Sequence, residues 1–600
     1  NIALLREAAR RELIGLLDKC SGTKAIVWDE SLAGPFSLIA EFGLLRDHQV
    51  TQMFHLAAQR PVSTTAQHVI YLVRPRLPLM DLIAQQVLEQ ARQSGGGHRK
   101  EFHVFFVPRK SQPCIRQLEE RGVYGELDIE EYALELFPVD SDVLSMEMEA
   151  SFKECHVEED TTSMHYVARA LMTLQSLYGV IPNVYAKGKM AKMVGDMLVR
   201  LRRELVGREA PLVPQVDTLL LLDRQVDLLT PLATQLTYQG LLDEVFGIHH
   251  NIVRLPPTLE KEGGEGGLAS SEGRQLCLNS AEELFAELRD RNFNAVGPLL
   301  SREAKSLTSQ YEVRHDARTI GEIKQFVDRL PSMQLKRKSL ANHTSLAEEI
   351  KKVTDREAFF ENLAVEQEFM NGVDTDKVHP HIEDCIARQE DIVKVLRLVC
   401  MQSVANNGLK PRVLDHYRRE ILQTYGYRQL LWLLRLEKAG LLHAQEHRNH
   451  FSTLRKTLKL NVEDVSEQVP NDASYVYSGY APLSVRLAQF LAQPGWRAIS
   501  EALALLPGGP ALTDLHQAPG GGGRPRRGSV SSLQSSSGGE EPKVTLVFFL
   551  GGCTYAEISA LRFLSQQDDA PVEYLVATTK LINGRTFLQS LNEVLSPPPQ

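Results

Sequence analysis

Six hundred residues are more than one core of about 150 residues organises, so the chain is expected to hold several domains or subdomains, roughly four by length. With 43% hydrophobic and 24% charged residues it has an ordinary globular composition, which excludes collagen-like, wholly disordered and disulfide-framework proteins. Its 67 Lys and Arg against 76 Asp and Glu give a net charge of −9; the positive excess that phosphate backbones require is missing, and nucleic acid is not expected as a partner.

The first third alternates helical and strand signals. An amphipathic helix from Ile2 to Leu17 precedes an apolar strand from Lys24 to Asp29. Strands follow at His68 to Val73 and Phe102 to Val107, with helical spacing from Leu79 to Leu88 between them. Strands apolar on both faces and separated by helices predict a parallel, doubly wound sheet, here an N-terminal α/β domain over residues 1–137. A second α/β domain is split in sequence. Its first segment, 138–247, carries the strand Asp217 to Leu222; its last, 481–600, carries Val544 to Leu550 and Tyr574 to Ala577. Residues 248–480 between them read as a helical insertion, with 318–351 and 352–480 as its parts. Low-complexity stretches at Glu260 to Gly273 and Pro507 to Pro542 are expected to be mobile loops.

The longest apolar runs are strand-length, below the ~18 residues of a membrane span, so none is expected to cross a bilayer. No signal-peptide pattern opens the chain, and because it begins at Asn1, N-terminal residues are expected to be missing. The seven cysteines (20, 114, 155, 277, 385, 400 and 553) are odd in number and scattered without a C-x-x-C pair, which fits a reducing compartment.

Doubly wound sheets commonly bind nucleotides, yet the phosphate-cradling glycines are absent. The Gly188-Lys189 pair is followed by Met190, which has no hydroxyl for magnesium. The glycines of 263–267 and 520–523 lie in low-complexity stretches. No H-E-x-x-H or nucleophile elbow occurs. The pairs His249/His250, His379/His381 and His447/His450 lack a ligand spacing, so no catalytic residue, cofactor or metal is expected. Gly551-Gly552, Thr554 and Glu557 read as a strand, a tight turn and a capping box. Arg524 to Arg527 beside Ser529 reads as a solvated basic loop.

Two parts of the insertion stand out, the first as a possible switch or an ordinary helix-turn-helix in a static bundle. From Arg318 to Lys351, helical spacing on both sides of Pro331 reads as two helices, either folded back as a hairpin or straightened into a kinked rod. Ile421 to Leu436 is apolar around nearly its whole circumference. Tyr427, Leu430, Leu431 and Leu434 lie on one face and Leu422, Tyr425, Trp432, Leu433 and Leu436 on the other, which fits a core helix or one covered by a partner.

The stretch Leu219 to Gly240, with Asp223, Arg224, Asp227, Thr230, Pro231 and Tyr238, closely resembles the signature of the SM (Sec-1/Munc-18-like) family, soluble regulators of SNARE-driven membrane fusion. Pro138 to Met146, Leu340 to Glu348 and Gly551 to Glu557 extend the resemblance over essentially the whole chain. Val365 to Met370, Tyr475 to Ser484 and Ala577 to Lys580 resemble its vacuolar-sorting branch. The resemblance implies a three-domain arch of two α/β domains with a large helical domain inserted in the second. It implies an SM subunit of endolysosomal tethering complexes of the HOPS and CORVET type that binds SNARE proteins and SNARE bundles and promotes their assembly. It further implies attachment through a sibling vacuolar sorting subunit resembling number 16, contact with other tethering subunits, and peripheral residence on late endosome, lysosome, early endosome and autophagosome membranes. SNARE contact is carried onto the 318–351 hairpin (Pro331, Leu340, His343, Leu346), and sibling-subunit contact onto Arg418, Tyr427 and Leu430. The signature residues read as structural, since none needs to be catalytic. A nucleotide-dependent α/β enzyme and a passive scaffold without SNARE contact are the alternatives.

Overall fold

The computed structural model describes residues 2–93, 97, 99–205, 212–255, 275–316, 319–372, 375–517 and 542–592. The chain divides into two compact units, Asn1–Glu147 and Met148–Gln600.

In the first unit, strands β1 (Lys24–Trp28), β2 (Val50–His55), β3 (His68–Val73), β4 (Glu101–Phe106) and β5 (Leu127–Glu131) form a parallel sheet in the order β2-β1-β3-β4-β5. Successive side chains point to opposite faces of a strand, and both faces are covered. Ile26, Ile70, Leu72 and Phe105 pack with Leu13 and Leu17 of the opening helix Ala3–Asp18, whereas Val27, Val69, Tyr71 and Val104 pack with Met80 and Ile83 of helix Leu77–Gln93. The three apolar strands lie where the sequence put them. The two edges, β2 and β5, are largely exposed and polar, and carried no comparable signal. A short antiparallel hairpin, β6 (Phe137–Asp140) with β7 (Val143–Ser145), follows.

In the second unit, β8 (Asn183–Lys187) and β9 (Thr218–Asp223) precede a small hairpin of β10 (Ile252–Arg254) and β11 (Gln275–Cys277). After the helical stretch come β12 (Leu512–His516), β13 (Lys543–Leu550) and β14 (Val572–Thr578), giving the neighbour order β12-β8-β9-β13-β14. The split sheet is borne out: β13 pairs in parallel with β9 from Thr545↔Thr218 to Leu550↔Asp223, closing a separation of more than three hundred residues. The segment expected as a loop from 507 opens instead with β12, an antiparallel edge strand against β8; its remainder, like 260–273, lies outside the described residues. Among the described residues no helix is long and apolar enough to cross a membrane.

Candidate functional site: apolar helical faces held by a buried polar anchor

The signature residues form a buried anchor that sews the two halves of the second unit together. Arg224, at the end of β9, donates to the Asp227 carbonyl from Nε (3.0 Å) and Nη2 (2.7 Å), to the Gly552 carbonyl (3.2 Å) and to Glu557 Oε1 (2.7 Å). Burial alone would lower its pKa; the carboxylates of Glu557 and Asp227 outweigh that, raise it and hold the guanidinium charged. Asp227 accepts from Thr230 N–H (3.2 Å) and Oγ1 (2.5 Å) and from Ser484 N–H (3.2 Å). Thr554 and Glu557 close the expected capping box, and Pro231 sits in the short buried helix Leu229–Leu232. Gly551 and Gly552 have φ of 109° and 130°, a turn that only glycine makes without strain. Arg224, Asp227, Thr230 and Pro231 are thus buried among contacts internal to the fold.

The helix start where a doubly wound sheet would cradle phosphate is occupied from within. Helix Lys189–Glu204 begins after β8, and Asp223 Oδ2 accepts its Met190 N–H at 3.0 Å while Oδ1 lies 3.2 Å from His156. At Gly188, with φ of 107°, an added Cβ would fall 2.2 Å from Asp223 Cβ. The chain's own carboxylate fills the anion position.

The region around Pro331 is one helix, Ile320–Thr354, of 35 residues, opened by a Thr319/Glu322 capping box. Of the two geometries expected from sequence, the straightened one is found. The chain does not reverse at Pro331; the neighbouring antiparallel arm is the separate helix Phe293–Asp316. An internal proline removes one donor and crowds the carbonyl four residues back, yet Pro331 is exposed, where water can satisfy Val327. An exposed apolar ridge runs along this helix: Ile320 (87% exposed), Ile323, Val327 (56%), Pro331 and Leu335 (70%). From Ile323 onward they are spaced i, i+4.

Two expected contact residues are corrected. His343 and Leu346 are fully buried, and Leu340 is half-buried. His343 donates from Nε2 to Glu282 (2.7 Å) and accepts the Tyr238 hydroxyl at Nδ1 (2.8 Å), so it clamps the long helix to the signature helix Tyr238–Val245. Their helical spacing marked the inward face, and periodicity does not say which face is inward. Leu335, unnoticed in the sequence, continues the ridge. The C-terminal part of the same helix borders an apolar cleft of about 610 Å³ lined by Leu300, Ala347, Phe359 and Phe360.

The circumferentially apolar stretch is two helices. Pro411–Tyr425 ends at Gly426, with φ of 99°, and Gln429–Lys438 begins after the corner. Trp432, Leu433 and Leu436 are buried, while Tyr427 (83% exposed), Leu430, Leu431 and Leu434 form an exposed patch, as their spacing divided them. Arg418 is not a free cation: it pairs with Glu437 and lies 3.8 Å from Asp415.

The Sec1 family pattern matches residues 24–590. The chain belongs to the Sec1 family. Vacuolar protein sorting-associated protein 33A of Rattus norvegicus is 56% identical, the match covering 99% of this chain and 98% of that protein. The Drosophila melanogaster protein of the same name is 41% identical over 98% of both, and the human 33B protein 30% identical over 99% of this chain and 98% of that one. Among solved structures, the SM protein Vps45 in complex with the Qa SNARE Tlg2 aligns with a TM-score of 0.60 at 17% identity, covering 98% and 97% of the two chains. An Unc18-syntaxin 1 complex from Monosiga brevicollis aligns with a TM-score of 0.61 at 16% identity, covering 98% and 99%. The fold of this Sec1-family chain is that of the SM proteins, with parallel-sheet domains and a large helical portion.

Proposed function

We propose that this Sec1-family chain acts in vacuolar protein sorting by binding SNARE helices along the exposed ridge of helix Ile320–Thr354 and promoting their assembly for membrane fusion. The observation that carries this reading is the ridge itself: Ile320, Ile323, Val327 and Leu335 stand apolar and uncovered on a regular helix, the surface an amphipathic segment packs against by helix-in-groove contact. It is supported by the relatives named for vacuolar protein sorting and by likeness to SM proteins solved with a Qa SNARE or syntaxin. The proposed role is binding without chemical turnover. Capture of purified SNARE motifs by the full chain tests it: loss of capture in Ile323→Asp with folding unchanged is the expected result, and undiminished capture contradicts it.

The patch of Tyr427, Leu430, Leu431 and Leu434 favours a second contact, docking to a sibling vacuolar sorting subunit resembling number 16 within HOPS- or CORVET-type tethering complexes, with Arg418 bracing the corner through Glu437. Through these subunits the chain would reside peripherally, from the cytoplasmic side, on late endosome and lysosome membranes and on early endosomes and autophagosomes. An aromatic at the centre of an apolar patch is the usual anchor of such an interface.

A further inference from the structure

The first unit gathers three metal-ligating side chains that no sequence spacing announces, since Cys20 and His68 lie 83 and 35 residues from His103. Cys20 follows the opening helix, His68 starts β3 and His103 lies in β4; all three are buried. Strand register explains the meeting. His68 pairs with Glu101 and His103 with Asp128, so all four residues share the sheet face on which Cys20 packs.

His103 Nε2 lies 3.0 Å from His68 Nδ1 and 3.6 Å from Cys20 Sγ. Zinc bonds of ~2.0 Å to nitrogen and ~2.3 Å to sulfur give tetrahedral edges of ~3.3 Å between two nitrogens and ~3.5 Å between nitrogen and sulfur. The two imidazoles are oriented from behind in the way metal-bound histidines are. His68 Nε2 donates to the Ser21 carbonyl at 2.9 Å, which turns its Nδ1 lone pair inward, and His103 Nδ1 faces Asp128 Oδ2 at 3.6 Å. Glu101 Oε2 lies 3.4 Å from His68 Nδ1 and is exposed.

We propose that Cys20 Sγ, His68 Nδ1, His103 Nε2 and the Glu101 carboxylate bind one zinc ion, with the Ser21 carbonyl and Asp128 orienting the histidines. The site ties the end of the opening helix to β3 and β4. On binding, the Cys20 thiol loses its proton to solvent, and the proton between the imidazoles moves to His103 Nδ1, on the side that faces the Asp128 carboxylate. Lys24, which also faces Cys20 and is held by the carbonyls of Gly22 (3.1 Å) and His48 (2.9 Å), offsets negative charge left by the thiolate and carboxylates. This revises the expectation, drawn from ligand spacing alone, that the chain has no metal.

The full chain, stripped with chelator and dialysed against micromolar Zn(II), is expected to retain one zinc per chain by elemental analysis and to melt at a higher temperature than the stripped form. Co(II) in its place should give tetrahedral visible bands and a thiolate-to-cobalt charge-transfer band. Cys20→Ser and His103→Gln should abolish retention and the charge-transfer band, and Asp128→Asn should weaken affinity ~10- to 100-fold. Wild type that retains no zinc, or variants that retain as much, would overturn the site and leave a metal-free imidazole pair. Should the variants not fold, the wild-type cobalt spectrum decides, the charge-transfer band supporting the site and its absence refuting it.

Discussion

Placing aspartate at Val327 and Leu335 separates docking from folding. These side chains are 56% and 70% exposed, so the free protein loses little: surface substitutions of this kind stay within about 0.5 kcal/mol, plus a similar helix-propensity cost for aspartate. A partner helix would cover what is now uncovered. Full burial of such a side chain is worth about 1.5 to 3 kcal/mol, and scaled by present exposure that leaves about 1 to 2 kcal/mol per residue, before the cost of burying a carboxylate. Two substitutions on one ridge should therefore weaken SNARE binding by ~30-fold at least. Leu346→Asp is the contrasting case. Fully buried, it would put an unpaired charge into the helical core, costing about 4 kcal/mol or more, and should lower the melting temperature and remove every partner at once. Circular dichroism melts with titration calorimetry against a purified SNARE motif read both quantities. Folded Val327→Asp/Leu335→Asp protein that binds SNARE with wild-type affinity would refute the reasoning.

Pro331→Ala returns a donor to the Val327 carbonyl within a helix already continuous, so it should stiffen that turn by up to ~3 kcal/mol and slow amide exchange over 327–335; unchanged exchange would mean the proline imposes no local weakness. Arg224→Met strands the buried Glu557 carboxylate and should cost about 3 to 5 kcal/mol by denaturant unfolding, whereas a cost near zero would show that the anchor is dispensable. Tyr427→Asp and Leu430→Lys should release the sibling subunit in co-purification while leaving melting temperature and SNARE affinity unchanged. Burial pushes the Glu366 carboxyl up to about 7 despite Arg397 and its hydrogen bonds from Thr234. The fold thus holds this proton more tightly than the unfolded chain, and stability should fall as pH rises from about 4.5 through 7, by up to ~1.4 kcal/mol per pH unit. Glu366→Gln should flatten that part of the stability profile, and an identical slope would contradict the assignment.

The sheets were legible because a strand buried on both faces must be continuously apolar, as His68–Val73 and Thr218–Asp223 are. β2, β5 and β12 were not, since an edge strand keeps one side in water and its polar residues read as loop. The two faces at the 427–436 corner were divided correctly from spacing, but the break at Gly426 was missed because apolar periodicity ran across it. Around Pro331 the helical period was right and its inward face was not identified: Leu340, His343 and Leu346 recur at helical spacing as the exposed ridge does, and packing of His343 against Tyr238 and Glu282 marks the inward side. The cluster of Cys20, His68 and His103 depends on strand register, which has no local signature in the chain.

Hydrogen-exchange mass spectrometry of the full chain with and without a saturating SNARE motif tests the central claim most directly. Protection concentrated on residues 320–338, with the 427–436 corner unaffected, is the predicted result. Saturated SNARE binding that leaves exchange over 320–338 unchanged would contradict it.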